Sequence, residues 1–199
     1  MKPKAIIFDF DGVIHDTFEL VYGLMAETVG DGLTRAEFRD LSDGNIHKHD
    51  RINKEHLDRY FRKQSKEYNC LKLEEDIKMS LEKLEERFML FIISSNQEAV
   101  IDVYFHNNHF THIFKEILGV ETHTSKIAKF EYLFEKYDLM ADECIFVTDT
   151  LGDIREGNKA GVRTIAVDFG FHERERLEKG SPYKIVSSFE ELEKVIETS

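Results

Sequence analysis

The chain has 199 residues, of which 41% are hydrophobic and 33% charged, a balance that is typical of a folded globular protein and excludes a disordered chain. Its net charge of −12 disfavours binding to nucleic acid or to an anionic membrane. The first apolar run breaks at Asp9, too early for a signal peptide or a membrane span. Cys70 and Cys144 are expected to be small buried apolar residues rather than disulfide partners. We therefore expect a protein of the reducing cytoplasm.

Short apolar runs indicate β-strands, and helical patterns separate most of them. The first strand is expected over residues 5–10, and the others over residues 88–93, 117–120, 144–148, 164–167 and 184–186. Helices are expected over residues 97–109, 126–137 and 151–160, and a capping box of Ser188 and Glu191 starts a last one. Continuous apolar runs suit strands that are covered on both faces. The alternation predicts an α/β fold with a doubly wound parallel sheet.

One stretch, residues 17–86, interrupts this alternation. It contains no convincing strand and indicates several helices rich in Glu, Lys, Arg and Leu, with a turn signal at Asp43-Gly44-Asn45. We expect residues 1–16 and 87–199 to form the core and residues 17–86 to form an inserted helical domain. Within the insert, residues 47–66 are locally basic. We interpret them as a solvated helix face, with attraction of anionic substrates as the alternative.

Polar residues follow three of the predicted strands. The first strand ends in Asp9-Phe10-Asp11-Gly12, the second in Ser94-Ser95-Asn96, and the fourth in a segment that holds Asp149 and Asp153. Doubly wound folds bind their ligands at the carboxyl ends of the strands, so four carboxylates are expected to converge at one edge. Such a cluster needs a cation or raised pKa values. Oxygen ligands without His or Cys favour Mg²⁺.

These residue types suit phosphoryl transfer. A carboxylate such as Asp9 can attack phosphorus and form an acyl-phosphate. Asp11, two residues further on, can protonate the leaving group and then activate water. N–H groups of the turn at Gly12 can hold phosphoryl oxygens, and Ser94 can donate a hydrogen bond to the phosphoryl group. Lys126, which starts the helix after the third strand, can neutralise its charge.

Some of these assignments have alternative interpretations. Ser95 could share or replace the role of Ser94, and Ser94 could merely cap the following helix. Lys129 is a second candidate for the role of Lys126, which could also be a solvated helix residue. Asp153 could be only the N-terminal charge of a helix.

In order along the chain, these segments resemble the four motifs of the haloacid dehalogenase-like hydrolase superfamily: residues 9–17, the run ending in Ser94, Lys126, and residues 147–162. The resemblance implies a Rossmann-like core, Asp9 as nucleophile and Asp11 as general acid/base. It also implies Mg²⁺ held by the Asp9 side chain, the Asp11 backbone carbonyl and Asp149, with Asp153 in support. Ser95, Asn96 and Gly12 are expected to contact the phosphate. The helical insert resembles the C1-type cap of phosphoglycolate phosphatase-like members, the element that selects the substrate.

Two positions depart from the commonest family pattern. Thr148 stands where many relatives have Gly, and Val13 stands where many phosphatases have Thr. Relatives with Val include sugar phosphomutases, so mutase chemistry stays open. A non-enzymatic phospho-receiver would also use an acidic cluster and a lysine, but it would lack the insert and the second aspartate of the Asp9–Asp11 pair. We expect a Mg²⁺-dependent phosphatase that acts on a small phosphorylated metabolite.

Overall fold

Strand β1 (Ala5–Phe8) lies inside a parallel sheet in which it pairs with two other strands. The computed structural model describes residues 2–30, 32–46 and 49–199. The sheet has the order β3-β2-β1-β4-β5-β6, as expected for a doubly wound fold. The other strands are β2 (Met89–Ile93), β3 (Glu116–Leu118), β4 (Cys144–Thr148), β5 (Arg163–Val167) and β6 (Lys184–Val186).

Alternating residues of β1 pack on opposite faces of this sheet. Ile6 and Phe8 belong to one apolar cluster, and Ala5 and Ile7 belong to another. Helices cover both faces, which explains why the strands are apolar throughout. The helices are α1 (Phe18–Val29), α2 (Arg35–Leu41), α3 (Lys54–Tyr68), α4 (Glu75–Glu85), α5 (Glu98–Asn107), α6 (Lys126–Tyr137), α7 (Leu151–Lys159), α8 (Arg174–Leu177) and α9 (Phe189–Glu197).

The predicted α/β fold is confirmed, with differences at the ends of elements. β1 ends at Phe8 instead of residue 10 because the backbone turns there: the Ile14 N–H donates to the Phe10 carbonyl at 2.9 Å. The start of α9 is confirmed, since Ser188 Oγ accepts from the Glu191 N–H at 3.1 Å. The Glu191 carboxylate accepts from the Ser187 N–H instead of completing the expected box. The short helix α8 was not predicted.

The inserted helices divide into two groups. Helices α1 and α3 pack against each other, and with α2 they contribute the side chains that line the cavity at the carboxyl edge of the sheet. Helix α4 instead packs beside β2 and α9, where Ser80 Oγ donates to the Glu193 carboxylate and Lys83 Nζ lies 3.4 Å from it. These contacts place α4 against β2 and α9, and the cap boundary expected at residue 86 stays a prediction. We refer to α1–α3 as the cap.

The surface differs from expectation at one cysteine. Cys144 is buried in β4 as expected, but Cys70 is exposed, because it follows the end of α3 at the rim of the cap. The basic residues Arg59, Arg62 and Lys66 are exposed on α3, as expected of a solvated face. His47 and Lys48 of the same basic segment lie outside the described residues. Among the described helices, none combines the length and apolar character that crossing a membrane requires.

Candidate active site

Asp9 is fixed at the end of β1 and paired with a buried lysine. Its N–H donates to the Val147 carbonyl at 2.8 Å, which holds the residue against β4. Lys126 Nζ donates to Asp9 Oδ2 at 2.6 Å, and the lysine is only 1% exposed. Burial raises the pKa of Asp9 to about 7, although the charge of Lys126 acts in the opposite direction. Lys126, the first residue of α6, therefore occupies the position predicted for it.

Lys129, the rival candidate, lies one turn further along α6 and contacts the backbone instead. Its Nζ donates to the Ser94 carbonyl. Burial, and next the charge of Lys126, lower the pKa of Lys129 to about 8. Ser94 Oγ lines the cavity and accepts from the Asn96 N–H at 3.1 Å. Ser94 does not cap the following helix, because α5 starts after Gln97.

Asp11 is held by donors from three parts of the chain. Thr17 Oγ1 donates to Asp11 Oδ1 at 2.7 Å, and the Tyr68 hydroxyl donates to the same oxygen from helix α3 of the cap. Asn96 Nδ2 donates to Asp11 Oδ2 at 3.1 Å. Burial raises the pKa of Asp11, and these three hydrogen bonds oppose the rise. Sequence reasoning missed Tyr68, since no spacing relates it to Asp11.

Asp149 carries an unsatisfied oxygen. Its Oδ2 accepts from the Phe171 N–H at 2.7 Å, while Oδ1 is buried and accepts no hydrogen bond from the described residues. Burial, and next the charge of Asp9, raise the pKa of Asp149 well above its usual value. A buried carboxylate oxygen without a donor is costly unless a cation or proton satisfies it.

Glycine is required beside this carboxylate. Gly12 has φ +74°, and a Cβ there would lie 1.9 Å from Asp149 Oδ2. Its N–H donates to the His15 carbonyl at 2.8 Å, so the observed contacts of Gly12 position Asp149 and close the turn. A role for Gly12 in phosphate binding stays a prediction.

The donor set suits Mg²⁺. Asp9 and Asp149 present two buried carboxylates that repel each other, and Asp149 Oδ1 lacks a partner in the described part of the chain. In that same part, no three Asp, Glu, His or Cys side chains gather into a ready-made cage. A hard cation at this position would therefore also draw on backbone oxygens and water, as Mg²⁺ commonly does.

The carboxylate of Asp153 forms an ion pair with Lys126. Its Oδ2 lies 3.0 Å from Lys126 Nζ and accepts from Thr148 Oγ1 at 3.2 Å. Burial acts to raise the pKa of Asp153, but the charge and hydrogen bond of Lys126 outweigh it and leave the pKa lowered. The side chain thus keeps Lys126 charged and aimed at Asp9. Its predicted support of a metal would be indirect in this arrangement.

A cavity of about 100 Å³ lies between these residues and the cap. Asp9, Asp11, Ser94 and Asp149 line its floor, together with Ser95 and Asn96. The opposite wall is apolar and comes from helices α1 to α3. The structure therefore brings together the predicted carboxylates and the serine around one cavity, with Lys126 behind Asp9.

Polar contacts dock the cap onto the core. His172 is fully buried; its Nδ1 accepts from the Leu151 N–H at 2.9 Å, and its Nε2 lies 2.8 Å from the Arg39 carbonyl. Since an amide only donates and a carbonyl only accepts, the ring is neutral with its proton on Nε2. Nearby, the Gly152 N–H donates to the Ser42 carbonyl at 3.0 Å. No sequence signal distinguishes His172.

A family model of haloacid dehalogenase-like hydrolases matches residues 6–167. The chain belongs to this family. It is 24% identical over 121 residues to a phosphoglycolate phosphatase from Aliivibrio fischeri; the match covers 59% of this chain and about half (53%) of the relative.

Solved structures of family members share the whole fold. A predicted phosphatase from Clostridium acetobutylicum has a TM-score of 0.84 at 19% identity, with all of both chains covered. CbbY from Rhodobacter sphaeroides, in a mutant form in complex with xylulose-(1,5)bisphosphate, has a TM-score of 0.74 at 19% identity, with 96% of each chain covered. These likenesses confirm the α/β fold.

Proposed function

We propose that this protein is a Mg²⁺-dependent phosphatase that hydrolyses small phosphate monoesters through a phosphoryl group on Asp9. The observation that carries the proposal is the buried Asp9–Lys126 pair, 2.6 Å apart, at the floor of a cavity that also holds Asp11. A lysine in that position orients the nucleophile and offsets charge on an incoming phosphoryl group. The phosphoglycolate phosphatase relative supports a small phosphorylated metabolite as substrate.

Asp9 and Asp11 have different roles in the two steps of the reaction. In the first step, an Asp9 carboxylate oxygen bonds to phosphorus, the ester P–O bond breaks, and Asp11 gives its proton to the departing alkoxide. In the second step, water attacks the same phosphorus, Asp11 takes the proton, and the bond to Asp9 breaks to release inorganic phosphate. Ser94, Ser95 and Asn96 line the space in which the phosphoryl oxygens would lie.

Asp9, Asp149 and the Asp11 carbonyl would hold Mg²⁺, with Asp153 in support through Lys126. The ion, when bound, would neutralise the two carboxylates so that a phosphate dianion can approach them. The unsatisfied Oδ1 of Asp149 supports this assignment.

Phosphate release from p-nitrophenyl phosphate tests the proposal. We expect turnover with Mg²⁺, loss of turnover in EDTA, and no turnover by Asp9→Asn. A sugar phosphomutase, the alternative that Val13 leaves open, would interconvert sugar phosphate isomers with little net release of phosphate. Full activity after removal of divalent cations would contradict the metal assignment.

A further inference from the structure

The wall that faces Asp9 across the cavity is apolar and aromatic. The apolar residues on it from helices α1 to α3 are Val21, Met25, Phe38, Leu57, Tyr60 and Phe61, and Ser42, Gly44, Asn45 and Ile46 of the loop between α2 and α3 also line the cavity. Val21, Met25, Phe38 and Tyr60 are buried, and Leu57 and Phe61 are half-buried. With the phosphoryl group at Asp9, the rest of a monoester extends toward this wall, because the carboxylates and the loop after β2 occupy the opposite side.

The charges around the cavity do not suit a second anionic group. The described residues that line the cavity include no Lys, Arg or His. They do include the carboxylates of the floor, among them Asp11, and the carboxylate of Glu156. Three described cations next to lining residues are engaged with other groups, and one of them, Lys129, donates to the Ser94 carbonyl. Lys126 binds Asp9 and Asp153, and Arg155 Nη1 donates to the Asp43 carbonyl at 2.8 Å. An additional carboxylate or phosphate on the substrate would be desolvated here without a partner.

The hydroxyl of Tyr60 has a partner within the cap. It accepts a hydrogen bond from Gln64 Nε2 at 2.7 Å, one turn further along α3, and both residues are buried. The Tyr60 ring is therefore fixed within the cap, where it contributes to the aromatic lining of the cavity.

We infer that the substrate is a monoester of a compact, uncharged and largely apolar alcohol, and that the site discriminates against leaving groups that carry a carboxylate or a second phosphate. This inference rests on the proposed phosphatase function and narrows its substrate class. It separates the chain from the substrate that the name of its phosphoglycolate phosphatase relative implies, because that ester carries a carboxylate.

Three esters of primary alcohols test the inference at matched chemistry: benzyl phosphate, glycerol 3-phosphate and phosphoglycolate. Their leaving groups differ in polarity and charge far more than in reactivity. The order of the three kcat/KM values therefore shows how the cavity wall interacts with each leaving group. We expect benzyl phosphate to exceed phosphoglycolate at least about tenfold, the scale on which an apolar pocket discriminates. Equal values, or a preference for phosphoglycolate, would overturn the inference.

A cation placed in the wall should lower the preference for benzyl phosphate over phosphoglycolate. Leu57→Lys introduces an ammonium group at a half-buried position of α3, and we expect the benzyl-to-phosphoglycolate ratio to fall at least about tenfold. Phe61→Lys makes the same test if Leu57→Lys melts early by circular dichroism. Met79→Lys adds the same charge at an exposed position of α4, outside the cavity, and should leave the ratio unchanged. An unchanged ratio in both wall variants would overturn the inference.

p-Nitrophenyl phosphate separates this inference from the proposed function. Its leaving group departs easily and needs little protonation, so its Mg²⁺-dependent hydrolysis tests the Asp9 chemistry separately from the order among the three alkyl esters. Hydrolysis of this ester with the opposite order among the three alkyl esters would overturn only the substrate class. No hydrolysis of any ester would overturn the phosphatase proposal and the substrate class with it.

Discussion

The Tyr68 hydroxyl, on helix α3 of the cap, donates a hydrogen bond to Asp11 Oδ1 in the core. Tyr68 is 1% exposed, and its ring lies against Phe10, with 6.1 Å between the ring centroids. The proposed acid/base is therefore oriented in part by the cap and not only by its own strand. Loss of this contact when the cap moves would change both the orientation of Asp11 and its pKa.

Tyr68→Phe is expected to shift the pH dependence of the reaction. The hydrogen bond from Tyr68 lowers the pKa of Asp11 against the effect of burial, so its removal should raise that pKa. Because the first step needs protonated Asp11, the alkaline limb of the kcat/KM profile should move to higher pH. Tyr22→Phe is the control, since the Tyr22 hydroxyl donates to the Leu33 carbonyl within the cap. Equal profiles for both variants would exclude the positioning role.

Asp9→Asn and Asp11→Asn should fail at different steps. Asp9→Asn removes the nucleophile and should show neither turnover nor a covalent phosphoryl group. Asp11→Asn should lose about 10²–10⁴-fold in turnover, yet still accept a phosphoryl group from an activated aryl ester, whose leaving group needs little protonation. Without a base for water, the phosphoenzyme should accumulate. Mass spectrometry of acid-quenched Asp11→Asn protein locates the added group, and its presence on any residue other than Asp9 would contradict the assignment.

Asp149→Asn should abolish the increase in thermal stability that Mg²⁺ causes. In the wild-type protein, saturation with Mg²⁺ at about 100 times its Kd should stabilise the fold by about 2.7 kcal/mol. In Asp149→Asn the shift in Tm on adding Mg²⁺ should vanish. The Tm in EDTA should stay level or rise, because a buried carboxylate with an unsatisfied oxygen is gone. Asp142→Asn, at an exposed position before β4, should keep the wild-type shift; a full shift in Asp149→Asn would remove this residue from the metal site.

His172 should make the docked cap sensitive to acid. Burial lowers the pKa of His172 below its ordinary value, so its contribution to stability is complete above a pH of about 6.5 and is lost as the pH falls below that value. Protonation of Nδ1 would place two donors, the ring and the Leu151 N–H, against each other. The contribution of His172 to the free energy of unfolding should therefore fall from pH 7 to pH 5. His172→Asn should be less stable at pH 7 by about 1–3 kcal/mol and less sensitive to pH, whereas exposed His106→Asn should follow the wild type.

The amino-acid sequence alone determined the parallel sheet and the residues at its carboxyl edge. Asp9, Ser94 and Asp149 each follow an apolar strand directly, and strands that run in parallel bring their ends together whatever the details of packing. Lys126 could be preferred over Lys129 because it starts its helix. These inferences depended on local order along the chain, which is why they held although several strand and helix ends were displaced by one or two residues.

Only the tertiary structure decided how the cap meets these residues. Tyr68 lies 57 residues from Asp11 in the sequence, and His172 lies 133 residues from Arg39, so no periodicity connects either pair. Their contacts depend on how a helical insert packs over the sheet, which is set by the summed burial of many side chains. The sequence could not predict the apolar lining of the cavity for the same reason. Leu57 and Phe61 share helix α3 with the exposed Arg59 and Arg62. Only the docked position of the helix determines which of its side chains enter the cavity.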